Sequence, residues 1–473
     1  MNIIKNNFLY ISCIILLSAC NLPSTETIYD DYTDYDNDYD QMYSDEYGQE
    51  NQPVTAPSLS IDIETIPLVQ PDDLEYLGAF RLPDLDGEIT WEYSGHGMTF
   101  YPDGDDGGEN DGFPGSLFVV GHDHYLEVSE ITIPQPVISS NLEDLNIAET
   151  IQPFSDIHGG MFPIQDMALP RAGIEYLPPQ NDQETGKLHF TYGQHIQGFE
   201  PSHGWAELDL SDPQPVGPWV FNGYTNYATN DYIFEIPEEW ADKYTPGMRL
   251  ATGRFREGVW SGFGPALFAY SAWDEHSPLS PNSTLNTITP LLLYGIQNPG
   301  STDILSDESM QMDGYQESDH WWGGAWLTAG DKSAVIFVGT KALGSSWYGF
   351  PNGVVWEYDC AEQDPPTCPD VPEWPDDNRG FWAEDYRGQI IFFDPSQLAA
   401  VATGQIESYE PQPYASLDLT QFLFAPYLEN ETYKRDIIGA AAFDRENGYL
   451  FMIERLADEF KSVIHVFHVN SNQ

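Results

Sequence analysis

From about residue 70 onward the chain alternates short apolar runs with turns built from Gly, Pro, Asn and Asp, the pattern of a β protein. Helical signals are confined to two segments. One runs from Pro237 to Tyr244 and stops at Gly247; the other is capped by Asp394, opened by Pro395 and closed by Gly404. Within the β region a degenerate unit recurs, in which a Gly-led run of small and apolar residues is followed by a turn and a second, more strongly apolar strand. Gly97-Met-Thr-Phe precedes Ser116 to Gly121 and a third strand at Leu126 to Ile133. Gly439-Ala-Ala-Ala-Phe443 precedes Tyr449 to Ile453 and Val463 to Val469, and further starts stand at Gly173, Gly264 and Gly324. A first strand rich in Gly and Ala suits the crowded axis of a β-propeller, whose outer strands are bulkier. The expected fold is therefore all-β, a propeller of five to seven blades over residues 69–473. The spacing of the starts is irregular, and a β-sandwich or a pair of β domains is the alternative.

The first sixty-eight residues differ in texture. Lys5 precedes an apolar stretch, Phe8 to Ala19, too short to span a bilayer, so residues 1–19 read as an export signal. The stretch closes on Leu17-Ser18-Ala19-Cys20, which resembles the bacterial lipoprotein lipobox. That resemblance implies acylation of Cys20 and a body outside the cytoplasm, and Asn21 in place of Asp implies the outer membrane. An ordinary secretory signal cleaved nearby, or a short anchor, is the alternative. Residues 20–68 then carry runs such as Tyr29-Asp30-Asp31-Tyr32, with no basic residue between Lys5 and Arg81. Like charges at this density extend a chain, so the segment reads as a disordered tether, or as a Tyr/Asp surface for cations or a partner.

Composition sharpens the picture. Seventeen Lys and Arg stand against 76 Asp and Glu, a formal charge of −59. Nucleic acid is excluded as a default partner, because binding the phosphate backbone needs clustered cations. The carboxylate surface suits salty surroundings, where self-repulsion is screened, or else local divalent-cation binding. Of the four cysteines, Cys360 and Cys368 remain after the signal and the lipid site. They bracket a Pro-rich loop with no further ligand at metal spacing, and so predict a local disulfide.

The segments Leu77-Gly-Ala-Phe-Arg-Leu-Pro83, Phe118-Val-Val-Gly-His-Asp123, Ala251 to Arg256 and Gly264 to Tyr270 resemble those of uncharacterised secreted bacterial proteins of propeller type. The resemblance covers most of residues 74–469 and implies a fold and an extracellular address, with no catalytic residue to carry over.

If the Gly-led strands are innermost, the residues just before them converge on one face of the central channel. These are His96, Arg171, Trp260, the run Asp319-His320-Trp321-Trp322, and Arg435 with Asp436. His96, His320, Asp319 and Asp436 are the candidate proton-transfer groups. Arg171, Arg254 and Arg256 are the candidate carboxylate or sulfate ligands, and Trp260, Trp321 and Trp322 the sugar-stacking faces. The competing structural readings are that Arg254 and Arg256 pair with Glu235, Glu238 or Glu257, and that Trp321 and Trp322 fill the wedge between blades. His122 and His124, placed on one strand face by alternation, could share a metal or simply satisfy a hairpin. Asp103, Asp105 and Asp111 lie in a Gly-rich, oxygen-rich loop of the kind that binds calcium, without EF-hand spacing; a solvated hairpin loop is the alternative. No nucleophile elbow, P-loop or dinucleotide fingerprint opens a strand-to-helix unit. Two functions follow: an extracellular glycan-binding or glycan-cleaving propeller, acting as a polysaccharide lyase or glycoside hydrolase, or a non-catalytic interaction scaffold in the cell envelope.

Overall fold

The computed structural model describes residues 63–84, 90–105, 112–180, 183–195, 197–274, 277–280, 283–357, 359–425 and 434–471. The proposed signal and Cys20 lie outside them, as does nearly all of the tether. Five sheets are arranged as a five-blade β-propeller, antiparallel except where the short strand Thr284–Leu285 pairs parallel with the outer edge of blade 2. Blade 1 runs from its inner strand outward as Met98–Tyr101, Gly112–Val120, Val128–Pro134 and Thr150–Ser155. Blade 2 is Arg171–Leu177, Lys187–Gly193, Pro201–Ala206 and Val216–Phe221, and blade 3 is Tyr232–Glu235, Leu250–Gly253, Leu267–Tyr270 and Ile288–Leu292. Blade 4 contributes His320–Ala329, Lys332–Gly349, Gly380–Phe393 and Ala415–Asp418. Blade 5 takes Ile438–Asp444, Tyr449–Asp458 and Lys461–Val469 from the C-terminus and its outer strand, Leu74–Arg81, from the N-terminus.

The expected glycines explain how the ring closes. A Cβ on Gly173 of blade 2 would stand 2.2 Å from the carbonyl oxygen of Asp231 in blade 3, and one on Gly439 of blade 5 would stand 2.3 Å from that of Gly95 in blade 1. Gly97 and Gly323 fill the same role at the junctions of blades 1 and 2 and of blades 4 and 5, and at the junction of blades 3 and 4 Gly324 makes room for the Phe234 ring. Only residues without a Cβ let neighbouring backbones approach so closely. The exception corrects the sequence reading. The Gly264-led strand is the third of blade 3, Leu267–Tyr270. The inner strand there, Tyr232–Glu235, has no glycine because Gly173 and Gly324 approach it from either side.

Bulky outer strands make five apolar clusters, one per blade interface. Trp321 belongs to the cluster between blades 3 and 4, fully buried with Trp326, Phe337 and Tyr232, so the wedge-filling reading holds for it. The two helices form where expected, at Glu238–Tyr244 and Pro395–Ala402, the latter capped by Asp394. The packed body begins a little before residue 69: Ile63 and Ile66 pack on the core, and Leu68 bridges Ser333.

The N-terminal strand is locked by more than its ladder. His465 and Glu454 are wholly buried, with His465 Nε2 2.8 Å from Glu454 Oε2 and the Tyr76 hydroxyl 3.0 Å from Nδ1 of the same ring. Glu454 also accepts the backbone N–H groups of Phe424 and Ala425. Arg81 adds an ion pair to Asp458 at 2.9 Å. Removing one partner strands the other in a low-dielectric wedge, so Glu454→Ala is expected to cost about 3–5 kcal/mol of stability, read by urea unfolding. A loss below about 1 kcal/mol would show that the clamp does not hold the ring closed.

Candidate functional site

The residues that lead into the inner strands meet at one mouth of the channel. His96 precedes the strand of blade 1, Arg171 opens that of blade 2, Asp231 precedes that of blade 3, His320 opens that of blade 4, and Arg435 and Asp436 lead into that of blade 5. Longer side chains arrive from second strands and the turns that follow them: His195 in blade 2, Arg254, Arg256 and Glu257 in blade 3, and Arg455 in blade 5.

A β-bulge sets the centre. Trp321 pairs with Gly339 and Gly323 with Val338, so Trp322 is the extra residue, turned out of the blade. Its indole lies beneath the guanidinium groups of Arg171 and Arg455, at 3.7 Å and 4.7 Å from the ring centroid, with His96 and His320 at 5.4 Å and 5.5 Å. Arg171 Nη1 meets His96 Nδ1 at 3.1 Å. Such cation–π contacts fix the guanidinium planes without neutralising them.

His320 Nδ1 stands 3.3 Å from Asp436 Oδ1, close enough for an ion pair but outside hydrogen-bond alignment. Both ring nitrogens of His320, buried at 3% exposure, lack a hydrogen-bond partner, as do Nε of Arg254 and Nε of Arg435. Buried polar atoms are almost always paired, so the unpaired atoms of His320, Arg254, Arg435 and Asp436 in one neighbourhood call for a physical explanation. Asp231, Glu257 and Asp436 all feel the charge of His320, which places that imidazole among the three acids.

The electrostatics follow from burial set against cations. Burial, aided by Arg455 and Arg171, holds His96 well below the ordinary imidazole value. Burial and Arg256 push His195 down to about 3. Burial lowers even Arg254 to about 10 and raises Asp231. Burial acts in the same upward direction on Glu257, but Arg256, His320 and Arg435 outweigh it and hold that carboxyl well below its usual range. At Asp436 the balance also falls low, through His320, Arg435 and Arg455.

The cations themselves are unusual. In a chain with more than four acids per base, Arg171, Arg254, Arg379 and Arg435 have no carboxylate within ion-pairing distance among the described residues. Arg254 Nη1 instead donates to the Gln194 carbonyl and to Asn230 Oδ1, both at 3.0 Å, and Arg435 Nη1 to the Phe381 carbonyl at 2.9 Å. Arg256 alone fits the bracing alternative, paired with Glu257 and His195. Glu235 and Glu238 are taken by Arg249.

Other expected site residues are placed differently. Asp319 is fully buried and committed: Oδ1 takes Lys341 Nζ at 2.6 Å and the Ala342 N–H, and Oδ2 takes the Gln316 N–H. Trp260 does not precede an inner strand. It is 39% exposed on the loop after Glu257, its ring 4.7 Å from that of Tyr227, whose hydroxyl feels Arg256 and Arg254. His122 and His124 do not alternate on a strand, because the strand ends at Val120; in the following turn His122 Nδ1 accepts the His124 N–H at 3.0 Å. Asp103 and Asp105 flank the loop expected to bind calcium, Asp111 lies outside the described residues, and among those described no three ligating side chains converge on a metal position. The disulfide Cys360–Cys368 is present. The sequence matches no protein-family model, and no curated protein is significantly similar to it.

At the other end of the inner strands, Glu175 is half-buried between blades 1 and 3, accepting the Thr99 hydroxyl at 2.8 Å and the Glu235 N–H at 2.9 Å. Burial raises its pKa to about 8, with Glu235 contributing. The folded chain therefore retains a proton that the unfolded chain releases near 4.5, and the associated stability is lost as pH rises from about 4.5 through about 8. Thermal unfolding of Glu175→Gln is expected to show a flatter pH profile than the parent, with the variant the more stable at pH 8; parallel profiles would contradict a protonated Glu175.

Proposed function

We propose that this protein is an exported, lipid-anchored propeller whose channel mouth binds a uronate-bearing extracellular glycan and cleaves it by elimination. The observation that carries the reading is the set of guanidinium groups without a carboxylate partner among the described residues, Arg171, Arg254 and Arg435, gathered around a His320 whose ring nitrogens make no hydrogen bond, in a chain otherwise dominated by carboxylates. An Arg fork matches a carboxylate better than any other anchor in the side-chain repertoire. Trp260, exposed at the rim, offers the stacking face, whereas Trp322 is occupied by arginines and Trp321 by the core.

Elimination uses what the mouth contains. Neutralising the uronate carboxylate acidifies the adjacent C–H. His320, beside Asp436, takes that proton; the electron pair forms the C=C bond, and the C–O bond to the neighbouring sugar breaks. The same imidazole returns the proton to the departing oxygen when both lie on one face of the ring. Hydrolysis by Asp319 and Asp436 is less well supported, because Asp319 is sealed against Lys341. The lipobox-like Leu17-Ser18-Ala19-Cys20 and the Cys360–Cys368 disulfide support an oxidising, extracytoplasmic address.

The full-length protein in detergent, assayed on polygalacturonate, alginate and glucuronan at about 0.5 M salt, where the Debye length is roughly 4 Å, is expected to generate the ultraviolet absorbance of the conjugated unsaturated uronate. His320→Ala should slow the reaction by at least about 100-fold while leaving binding within a few-fold. New reducing ends without that absorbance would replace elimination by hydrolysis. No binding and no cleavage on any of the three would instead favour the envelope scaffold.

A further inference from the structure

The central hairpin of blade 4 is longer than its blade requires. Lys332–Gly349 and Gly380–Phe393 stay paired out to Gly349 opposite Gly380, with Trp347 facing Trp382 and Tyr348 facing Phe381. This extension forms a wall of the channel mouth. Arg435 donates to the Phe381 carbonyl and lies 4.1 Å from the Trp382 ring centroid, and a Cβ on Gly380 would come 2.9 Å from Arg435 Nη1. From the other side Gly258, two residues from Trp260, leaves room for the Phe381 ring, which a Cβ there would meet at 2.3 Å.

One residue outward from Gly380 stands Arg379, exposed, with its guanidinium 4.5 Å from the ring centroid of Trp356. Trp356 is held in place from behind: its N–H donates to the Tyr348 carbonyl at 2.9 Å, Gly349 bridges Val355, and the Phe350 ring lies 6.0 Å away. The excursion from 350 to 379 is further tied by Cys360–Cys368. Asp376 and Asp377 are near Arg379 in sequence, yet neither pairs with it. A bracing arginine in so acidic a chain would take such a partner. This one instead lies over an indole and remains exposed.

We propose that Arg379 and Trp356 form an outer subsite that takes a second acidic sugar of the same chain, so that the ligand is an oligouronate lying across the blade 4 wall rather than a single uronate. The indole holds the guanidinium in place and the guanidinium supplies a carboxylate anchor, repeating at the rim the pairing of Arg435 with the Trp382 ring inside. This inference rests on the uronate reading of the mouth and adds to it the length and repeating charge of the ligand.

The test is titration calorimetry of the full-length protein with dimers and tetramers of galacturonate, mannuronate and glucuronate at high salt. The parent is expected to bind its tetramer about tenfold tighter than its dimer, one charge-assisted contact's worth. Arg379→Ala and Trp356→Ala should each erase most of that difference while leaving dimer affinity and the unfolding temperature unchanged. If the tetramer holds no advantage in the parent, or keeps it in both variants, the outer subsite is wrong and the mouth reading stands. Failure of the parent to bind any of these oligomers overturns both.

Discussion

A Cβ on Gly173 would stand 2.2 Å from the Asp231 carbonyl, and one on Gly439 2.3 Å from the Gly95 carbonyl; the molecule is organised around these close approaches. They allow five inner strands to meet around a narrow axis, and that ring aims the residue before each strand at a shared mouth. The apolar wedges between blades fix the strand directions, and the His465–Glu454 pair with Tyr76 holds the N-terminal strand on the last blade. The cluster of charged side chains at the mouth is thus a consequence of closure. His96, Arg171, Asp231, His320 and Asp436 are far apart in sequence and come together only when the ring does.

The second organising fact is the scarcity of cations. Five of the ten arginines, Arg171, Arg254, Arg256, Arg435 and Arg455, gather at the mouth against three carboxylates, Asp231, Glu257 and Asp436. Burying guanidinium groups without carboxylate partners is unfavourable, and the fold offsets it only in part, with carbonyl oxygens and the Trp322 and Trp382 rings. An anionic ligand would supply what is missing. Such a ligand approaches a body of strongly negative charge, so added salt should speed its arrival by screening long-range repulsion while barely weakening the buried contacts.

Much of this was legible in the sequence, for physical reasons. Glycine at the head of an inner strand is a steric requirement, so Gly97, Gly173, Gly324 and Gly439 marked four of the five inner strands, and turn and cap chemistry marked both helices. Blade 3 escaped because its inner strand is approached by glycines of its neighbours and carries none; Gly264 led a third strand instead, and Trp260 was misplaced with it. Asp231 was missed for the same reason. His195, Glu257 and Arg455 were missed because they reach the mouth from second strands and the turns that follow them, where no repeat points. The signal that would have found Arg455 is rarity: in a chain so poor in cations, an arginine just past the apolar run Tyr449 to Ile453 is itself informative. Asp319 shows the converse, since its place beside His320 in the sequence gave no hint that Lys341 would seal it away.

The central claim is that the mouth keeps guanidinium nitrogens unpaired for a carboxylate that the protein does not itself supply. Crystal structures of the full-length protein, grown with and without an oligouronate, test it most directly. The account predicts a sugar carboxylate on the unpaired nitrogens of Arg254 or Arg435, within reach of His320, in the complex alone. Carboxylates of the protein's own chain on those nitrogens in both crystals would contradict it.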